Sequence, residues 1–135
     1  MAKNPLHTAK ATALITMAKE LERFCSAIEL ADLKLTAISA EEMRARAQAI
    51  VHEADTTALP KRLIPSARAI GDGAYLLTHL IAQSQESADE TVTIEASAYV
   101  QARAYIQKAL EALKAPARAY GADIDALEMT GGLYL

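Results

Sequence analysis

The chain has few residues that interrupt or cross-link a fold: one cysteine, five glycines, four prolines and no tryptophan in 135 residues. The single cysteine, Cys25, excludes an internal disulfide, and a lone thiol within a helical pattern is typical of a buried structural residue. Only three valines, one phenylalanine and five tyrosines are present, whereas strands are rich in β-branched and aromatic residues. This scarcity of breakers and strand formers favours an all-α protein.

Long apolar runs are also missing. Residues 1–5 lack the apolar core of a signal peptide, which needs roughly 7–15 residues. No stretch approaches the roughly 20 apolar residues of a membrane span. We therefore predict a cytoplasmic protein without a membrane span.

Neither sign of charge dominates. Fourteen basic and seventeen acidic residues give a formal net charge of −3, and the two signs are interspersed. The one basic concentration, within residues 44–68, is largely offset by neighbouring carboxylates. General nucleic-acid binding needs a basic surface that neutralises phosphates, so we predict that this protein does not have that function.

What the chain does have is alanine. Thirty alanines, sixteen leucines and ten isoleucines make up most of its 52% apolar content. Alanine has the highest helix propensity, and its small side chain lets packed helices approach closely. The composition therefore predicts closely packed helices.

The strongest pattern is an apolar 3-4 repeat over residues 14–38. Such a repeat keeps one helix face inward, so it predicts a first helix over about 6–36 that packs on partner helices. Its members are Leu14, Met17, Leu21, Phe24, Ile28, Ala31, Leu35 and Ile38.

The repeat breaks near a capping signal. Ser39 and Glu42 have the spacing of a capping box, which predicts a tight turn at 36–39 and a second helix over about 39–57. The alternative is one continuous helix over 6–57, about 78 Å long at 1.5 Å per residue. That length would imply an oligomer.

Two further helices are predicted, over about 66–87 and 90–115, and Pro116 is expected to end or kink the second of them. Residues 116–135 then form a short C-terminal extension. The inward positions are predicted to be Met43, Ala47, Ile50 and Ala54 in the second helix, Ile70, Ala74, Leu77 and Ile81 in the third, and Val92, Ala96, Tyr99, Arg103, Ile106, Leu110 and Leu113 in the fourth.

The sequence Gly71-Asp72-Gly73 near the start of the third helix has two interpretations. Asp72 could be the N-cap of that helix. Alternatively, the glycines lie inside the helix at a place where another chain segment passes closely.

Four helices with short connections predict a single domain over 1–135, an antiparallel four-helix bundle with a short C-terminal extension. An irregular helical domain, or a bundle completed by dimerisation, is the alternative. No motif points to a particular family.

The residues that usually carry chemistry are not arranged in known patterns. Di-iron bundles use Glu-x-x-His, but Ala49 and Leu76 stand three residues before His52 and His79. Histidine phosphotransfer domains are four-helix bundles of similar size, yet neither His52 nor His79 is followed by the lysine and glycine that those domains place three and four residues after their histidine. We predict no catalytic residues, no cofactor and no metal site, and a half-buried bundle position for His79.

Arg103 is the most informative single residue, because it occupies an inward position of the fourth helix. A buried charge must be paired, since its desolvation is costly. Three interpretations remain open. Its guanidinium could reach solvent at the bundle edge, it could pair with an inward carboxylate such as Asp32, or it could bind an anionic ligand in a cleft.

The chain ends in an apolar segment, Leu133, Tyr134 and Leu135, which follows a Gly-Gly pair. This segment could fold back on its own bundle. It could also dock into a groove of another chain, so these three residues and Arg103 are the candidate interaction residues.

The leading hypothesis is a non-enzymatic helical interaction protein, an adaptor or small regulator that binds a protein partner or associates with itself. The alternative is a small helical enzyme or ligand-binding bundle with a polar site near Arg103. A pocket that converges on Arg103 would favour the alternative, and a filled core would favour the interaction protein.

Overall fold

The structure is a computed structural model that describes residues 4–124. Within these residues, four helices pack against each other and a small three-stranded sheet joins them, so the all-α prediction is confirmed in outline. The sequence did not predict the sheet. The helices are α1 (Pro5–Leu30), α2 (Ala37–Glu53), α3 (Ile64–Ala82) and α4 (Ala96–Ala119), a 3-10 turn (Lys61–Leu63) precedes α3, and the strands are β1 (Lys34–Thr36), β2 (Gln85–Glu86) and β3 (Thr91–Thr93).

The buried face of α1 follows a 3-4 repeat that shares only half of its residues with the predicted repeat. Every second predicted member is buried, and the members between them give way to their neighbours: Cys25 is buried, whereas Phe24 is only partly buried. Two 3-4 repeats share every second position, so periodicity alone cannot choose between them. The buried residues of α1 are Ala11, Leu14, Ile15, Ala18, Leu21, Cys25 and Ile28.

Helix α1 ends at Leu30, so the predicted helix over 6–36 is too long. Asp32 and Leu33 have φ angles of 55° and 64°, and this left-handed backbone does not continue a right-handed helix. The same interruption makes the alternative of one helix over 6–57 wrong.

Strand β1 and the cap of α2 occupy the place of the predicted turn at 36–39. Leu35 is buried from β1, because a strand also directs alternate side chains inward. Ile38, the last member of the predicted stripe, is 71% exposed. The Thr36 hydroxyl accepts the Ser39 amide at 3.1 Å, so Thr36 rather than Ser39 caps α2.

Helix α2 is linked to α1 by an ion-pair network on the surface. Arg46 on α2 pairs with Glu20 on α1 and, at 2.9 Å, with Glu53 on its own helix. These hydrogen bonds raise the pKa of Arg46, so the guanidinium remains charged. The predicted span 39–57 is wrong at both ends, since α2 is Ala37–Glu53. The residues predicted to face inward there are all buried, and Ala54 among them directly follows the helix: Met43, Ala47, Ile50 and Ala54.

Helix α3 runs unbroken through both glycines, so the interpretation of Asp72 as an N-cap is wrong. A Cβ atom on Gly73 would lie 3.1 Å from Cγ1 of Ile106 on α4 and 4.0 Å from Cδ1 of Leu21 on α1. Gly73 therefore marks the place where α4 and α1 approach α3 closely. The predicted inward residues of α3 are all buried, namely Ile70, Ala74, Leu77 and Ile81.

A hairpin takes the place of the predicted junction between the third and fourth helices. Strand β3 pairs antiparallel with both β1 and β2. The Asp89 carboxylate accepts hydrogen bonds from the hydroxyls of Ser87 and Thr91, which lower its pKa to about 2. The predicted spans 66–87 and 90–115 therefore each lose residues to this hairpin.

Helix α4 begins after Glu95, whose carboxylate caps it by accepting the amides of Ser97 and Ala98 at 3.1 and 2.7 Å. The helix continues through Pro116 to Ala119, so Pro116 does not end it. A kink at Pro116, the other outcome expected there, stays a prediction. The predicted extension 116–135 thus begins inside α4.

Two long-range hydrogen bonds show that α1 and α4 run in opposite directions. The Tyr99 hydroxyl donates to the Cys25 carbonyl at 2.8 Å. The Thr8 hydroxyl donates to the Tyr120 carbonyl, just beyond the other end of α4. Helix α3 packs against both α2 and α4. The antiparallel course of the whole bundle stays a prediction, as does the single domain over 1–135.

Among residues 4–124, no helix combines the length and the apolar character that crossing a bilayer requires. The helices instead share a continuous hydrophobic core, in which the 3-10 turn also takes part through Leu63.

The two glycines of α3 make a matched pair of tests. Gly71→Ala should raise the free energy of unfolding by about 0.5–1 kcal/mol, because alanine favours the helix and its Cβ would lie a comfortable 3.7 Å from that of Ala54. Gly73→Ala should gain less or lose stability, because its Cβ would crowd Ile106. Urea denaturation of both variants measures the difference, and equal gains would contradict the close approach at Gly73.

Candidate functional site

Where the end of α1 meets the start of α4, the side chains that could carry chemistry are buried. Tyr99 is buried and directs its hydroxyl to the Cys25 carbonyl. Burial raises the pKa of the Cys25 thiol to about 11 and also raises the pKa of Tyr99. The thiol is therefore protonated at neutral pH, whereas a nucleophilic cysteine requires the thiolate. The prediction that the Cys25 thiol is buried is confirmed, and its structural role stays a prediction.

Arg103 lies outside the core, at the edge of the same contact. Ala102 takes the inner position, and the Arg103 side chain is 45% exposed with Nη1 3.0 Å from Oε1 of Glu29. The prediction that Arg103 occupies an inward position is wrong. Its guanidinium reaches solvent, and its carboxylate partner is Glu29 rather than Asp32.

A groove of about 140 Å³ surrounds the Arg103–Glu29 pair. Ligand pockets for small molecules are usually about 300–1,000 Å³, so this groove suits only a few waters or a very small molecule. Its acidic side chains outnumber its single guanidinium, which disfavours a second anion. The groove is lined by Glu22, Cys25, Ser26, Glu29, Arg103, Ile106 and Gln107.

A larger and more open groove, of about 370 Å³, lies between the sheet and the adjoining parts of α2 and α3. Its charged residues are Glu41, Arg44 and Glu86. Arg44 donates from Nε to the Glu41 carboxylate at 2.9 Å, and this hydrogen bond lowers the pKa of Glu41. Such an exposed i,i+3 pair is typical of a solvated helix surface.

The outer face of α3 is different, because apolar side chains stand in its exposed stripe. Tyr75 is 57% exposed and Leu76 is 36% exposed. The Tyr75 ring stacks on His79, with centroids 6.0 Å apart and planes at 13°. His79 itself is exposed, so its predicted half-buried position is wrong.

Helix α4 extends this exposed face. The Tyr105 hydroxyl donates to Oδ2 of Asp72 at 3.4 Å, and burial together with that carboxylate raises the pKa of Tyr105. Tyr105 as a whole residue is 37% exposed. We call the resulting patch the α3–α4 surface, defined by Asp72, Tyr75, Leu76, His79 and Tyr105.

Sequence reasoning did not find the α3–α4 surface as a unit. The available signal was that Tyr75 and Leu76 fall outside the correctly predicted inward stripe of α3 and so must face outward. Of the predicted candidate residues, Arg103 lies at the groove edge. The others, Leu133, Tyr134 and Leu135, fall outside the described residues.

Within the described part of the chain, no group of three or more His, Cys, Asp or Glu side chains is placed to hold a metal ion. No protein-family model, curated protein sequence or solved structure matches this chain. Any proposal about function therefore depends on the residues themselves.

The two raised pKa values predict that alkali destabilises the fold. In the unfolded chain the Cys25 thiol ionises near pH 9, but in the folded chain it does so only near pH 11. The unfolded chain therefore binds fewer protons in this window, and stability falls as pH rises. We expect a loss of about 2 kcal/mol between pH 8 and pH 10.5 from this thiol. Tyr99 adds a further loss above about pH 10.

Urea denaturation of the wild type and Cys25→Ala at the two pH values measures this effect. The variant will be less stable at pH 8, because it loses buried volume. It should, however, show a shallower fall in stability toward pH 10.5. An identical fall in both chains would contradict the protected thiol.

The exposed Arg103–Glu29 pair should contribute little to stability. We expect Arg103→Met to remain folded and to change the free energy of unfolding by less than about 1 kcal/mol, with a similarly small coupling to Glu29→Gln in a double-mutant cycle. A larger coupling would show that the pair holds α1 and α4 together. The loss of a co-purifying small molecule from Arg103→Met alone would instead support a ligand site.

Proposed function

We propose that this chain is a non-enzymatic helical interaction protein, an adaptor or small regulator that binds another polypeptide or a second copy of itself. The observation that supports the proposal is the α3–α4 surface. There, an exposed Tyr75 stacks on His79, Leu76 is partly exposed on the same helix, and Tyr105 on α4 meets Asp72. Protein interfaces are enriched in tyrosine, and their strongest contacts often come from a few such residues.

The interior supports the same function. The core is made mostly of aliphatic side chains and alanines, with Cys25, Met43 and Tyr99 among them. In the described residues, every buried side-chain nitrogen or oxygen atom has a hydrogen-bond partner. A filled interior and an apolar patch outside it favour action through the surface.

Three further predictions belong to this proposal: the helix arrangement, the affinity for nucleic acids and the location in the cell. The opposite directions of α1 and α4 support an antiparallel four-helix bundle. The interspersed charges support a protein without general affinity for nucleic acids. The lone cysteine is compatible with a cytoplasmic location.

The alternative function, a ligand-binding bundle or small enzyme with its polar site near Arg103, stays a second prediction. The groove beside Arg103 is the observation in its favour. The small volume of that groove and the Glu29 carboxylate already paired with Arg103 make it the weaker candidate.

Two exposed apolar residues of similar accessibility test the proposal. Tyr75→Glu places a charge in the α3–α4 surface, whereas Val100→Glu places one on α4, where Val100 is 60% exposed. Both variants should keep the wild-type melting temperature to within a few degrees, because neither side chain is buried. The Tyr75 variant alone should lose association.

The measurement is isolation of the tagged chain from its native cell, with mass spectrometry of stoichiometric partners and light scattering of the purified chain. A partner or second copy that the wild type and Val100→Glu retain, and that Tyr75→Glu loses, supports the proposal. Identical behaviour of all three chains, whether bound or alone, would overturn it.

A further inference from the structure

The exposed stripe of α3 has a self-complementary order. The exposed residues that follow one another along this face are Arg68, Asp72, Tyr75, Leu76, His79 and Gln83. Spacings of three and four residues place them on one side of the helix, over a length of about 22 Å. Reversing the direction of the stripe exchanges an acidic position with a histidine, and the two apolar residues at its centre exchange with each other.

We infer that the α3–α4 surface binds a second copy of this chain, with the two α3 helices antiparallel about a two-fold axis that passes between Tyr75 and Leu76. This inference rests on the proposed function and names the partner. A two-fold interface brings each residue opposite its counterpart at equal distance on the other side of the axis. Asp72 then faces His79 of the second copy. Tyr75 and Leu76 lie about 100° apart around the helix, on opposite flanks of this line, so Tyr75 lies beside Tyr75 of the second copy and Leu76 beside its Leu76.

Charge complementarity is what favours a second copy over an unrelated chain. The Asp72 carboxylate accepts hydrogen bonds, and the His79 imidazole can donate one whether it is neutral or protonated. The two-fold axis makes this contact twice. A further polar pair, Arg68 with Gln83, stands at each end of the contact. Like charges do not meet anywhere along the stripe, whereas a one-sided acidic or basic face would repel its own copy.

Asp72 can bind Tyr105 of its own chain and His79 of the second copy at the same time. Its hydroxyl donates to one Asp72 oxygen, Oδ2, so Asp72 is held at the boundary between α3 and α4. A carboxylate has two oxygens with several lone pairs, so the other oxygen remains available to His79 of the second copy.

The size of the patch sets the expected strength. A single helix face with one flanking tyrosine is smaller than the roughly 800 Å² per partner that typical stable interfaces bury. We therefore expect a weak, reversible dimer whose population increases with protein concentration. Sedimentation velocity at pH 7 over a wide concentration range measures it.

The test is an exchange of charges between two chains. In a dimer of Asp72→Lys, the lysine of one molecule lies opposite His79 of the other. In a dimer of His79→Glu, the glutamate of one molecule lies opposite Asp72 of the other. Each variant alone should self-associate at least about tenfold more weakly than the wild type, because two contacts are lost per dimer. In an equimolar mixture, the lysine introduced in one variant would face the glutamate introduced in the other, and the native His79 would face the native Asp72. The mixture should therefore recover the dimer as a heterodimer.

The mixture also controls for folding, since misfolded variants would not restore one another. Val100→Glu should dimerise as the wild type does. A monomeric wild type at every concentration would overturn the inference while leaving a different protein partner possible. The inference would also be overturned if Tyr75→Glu abolished self-association but a mixture of Asp72→Lys and His79→Glu did not recover the dimer. If Tyr75→Glu has no effect on any association, both the inference and the proposed function are wrong.

Discussion

The close approach of α3 to α4 and α1 at Gly73 is the constraint on which the rest of the structure depends. A Cβ atom there would lie 3.1 Å from Ile106 and within reach of Leu21, so three helices meet where one side chain is missing. Small residues elsewhere at helix contacts, such as Ala18 and Ala102, act in the same direction, because they bring backbones together. The alanine-rich composition is thus explained by helix spacing as well as by helix propensity.

This spacing also determines which surface is available for function. Once Ile106 packs against Gly73, the neighbouring residue Tyr105 lies beside α3, where its hydroxyl meets Asp72. The buried face of α3 is then fully occupied by the core, and its remaining apolar residues, Tyr75 and Leu76, can only face solvent. The α3–α4 surface is therefore a consequence of the same contact that holds the helices together, and it lies on regular helices rather than on loops. A site on regular helices is held more rigidly than one on loops.

The ion pairs have a smaller role. Arg46 joins α1 to α2 through Glu20, and Arg103 joins α4 to α1 through Glu29. The Arg103–Glu29 pair is about half exposed, and the Arg46–Glu20 pair is partly buried, with Glu20 18% exposed. Ion pairs that solvent still reaches contribute little stability in water. Because they lie at the edges of the helix contacts, these pairs orient the helices relative to each other more than they raise the free energy of unfolding. The buried Tyr99–Cys25 hydrogen bond is the stronger link between α1 and α4, since breaking it would leave a polar group without its partner inside the core.

The sequence by itself determined the helical class and the inward faces of α2 and α3, because in these two segments the apolar residues at helical spacing define one face. It could not choose between two overlapping stripes in α1, where Phe24 and Cys25 are equally compatible with the repeat. It could not find the sheet, because Leu35 and Val92 fit a helical stripe as well as an alternating strand. Only the tertiary structure decided that Asp32 and Leu33 end α1, that Glu29 meets Arg103, and that Tyr105 meets Asp72. The reason is that periodicity describes one segment at a time, whereas burial depends on how closely the other helices approach.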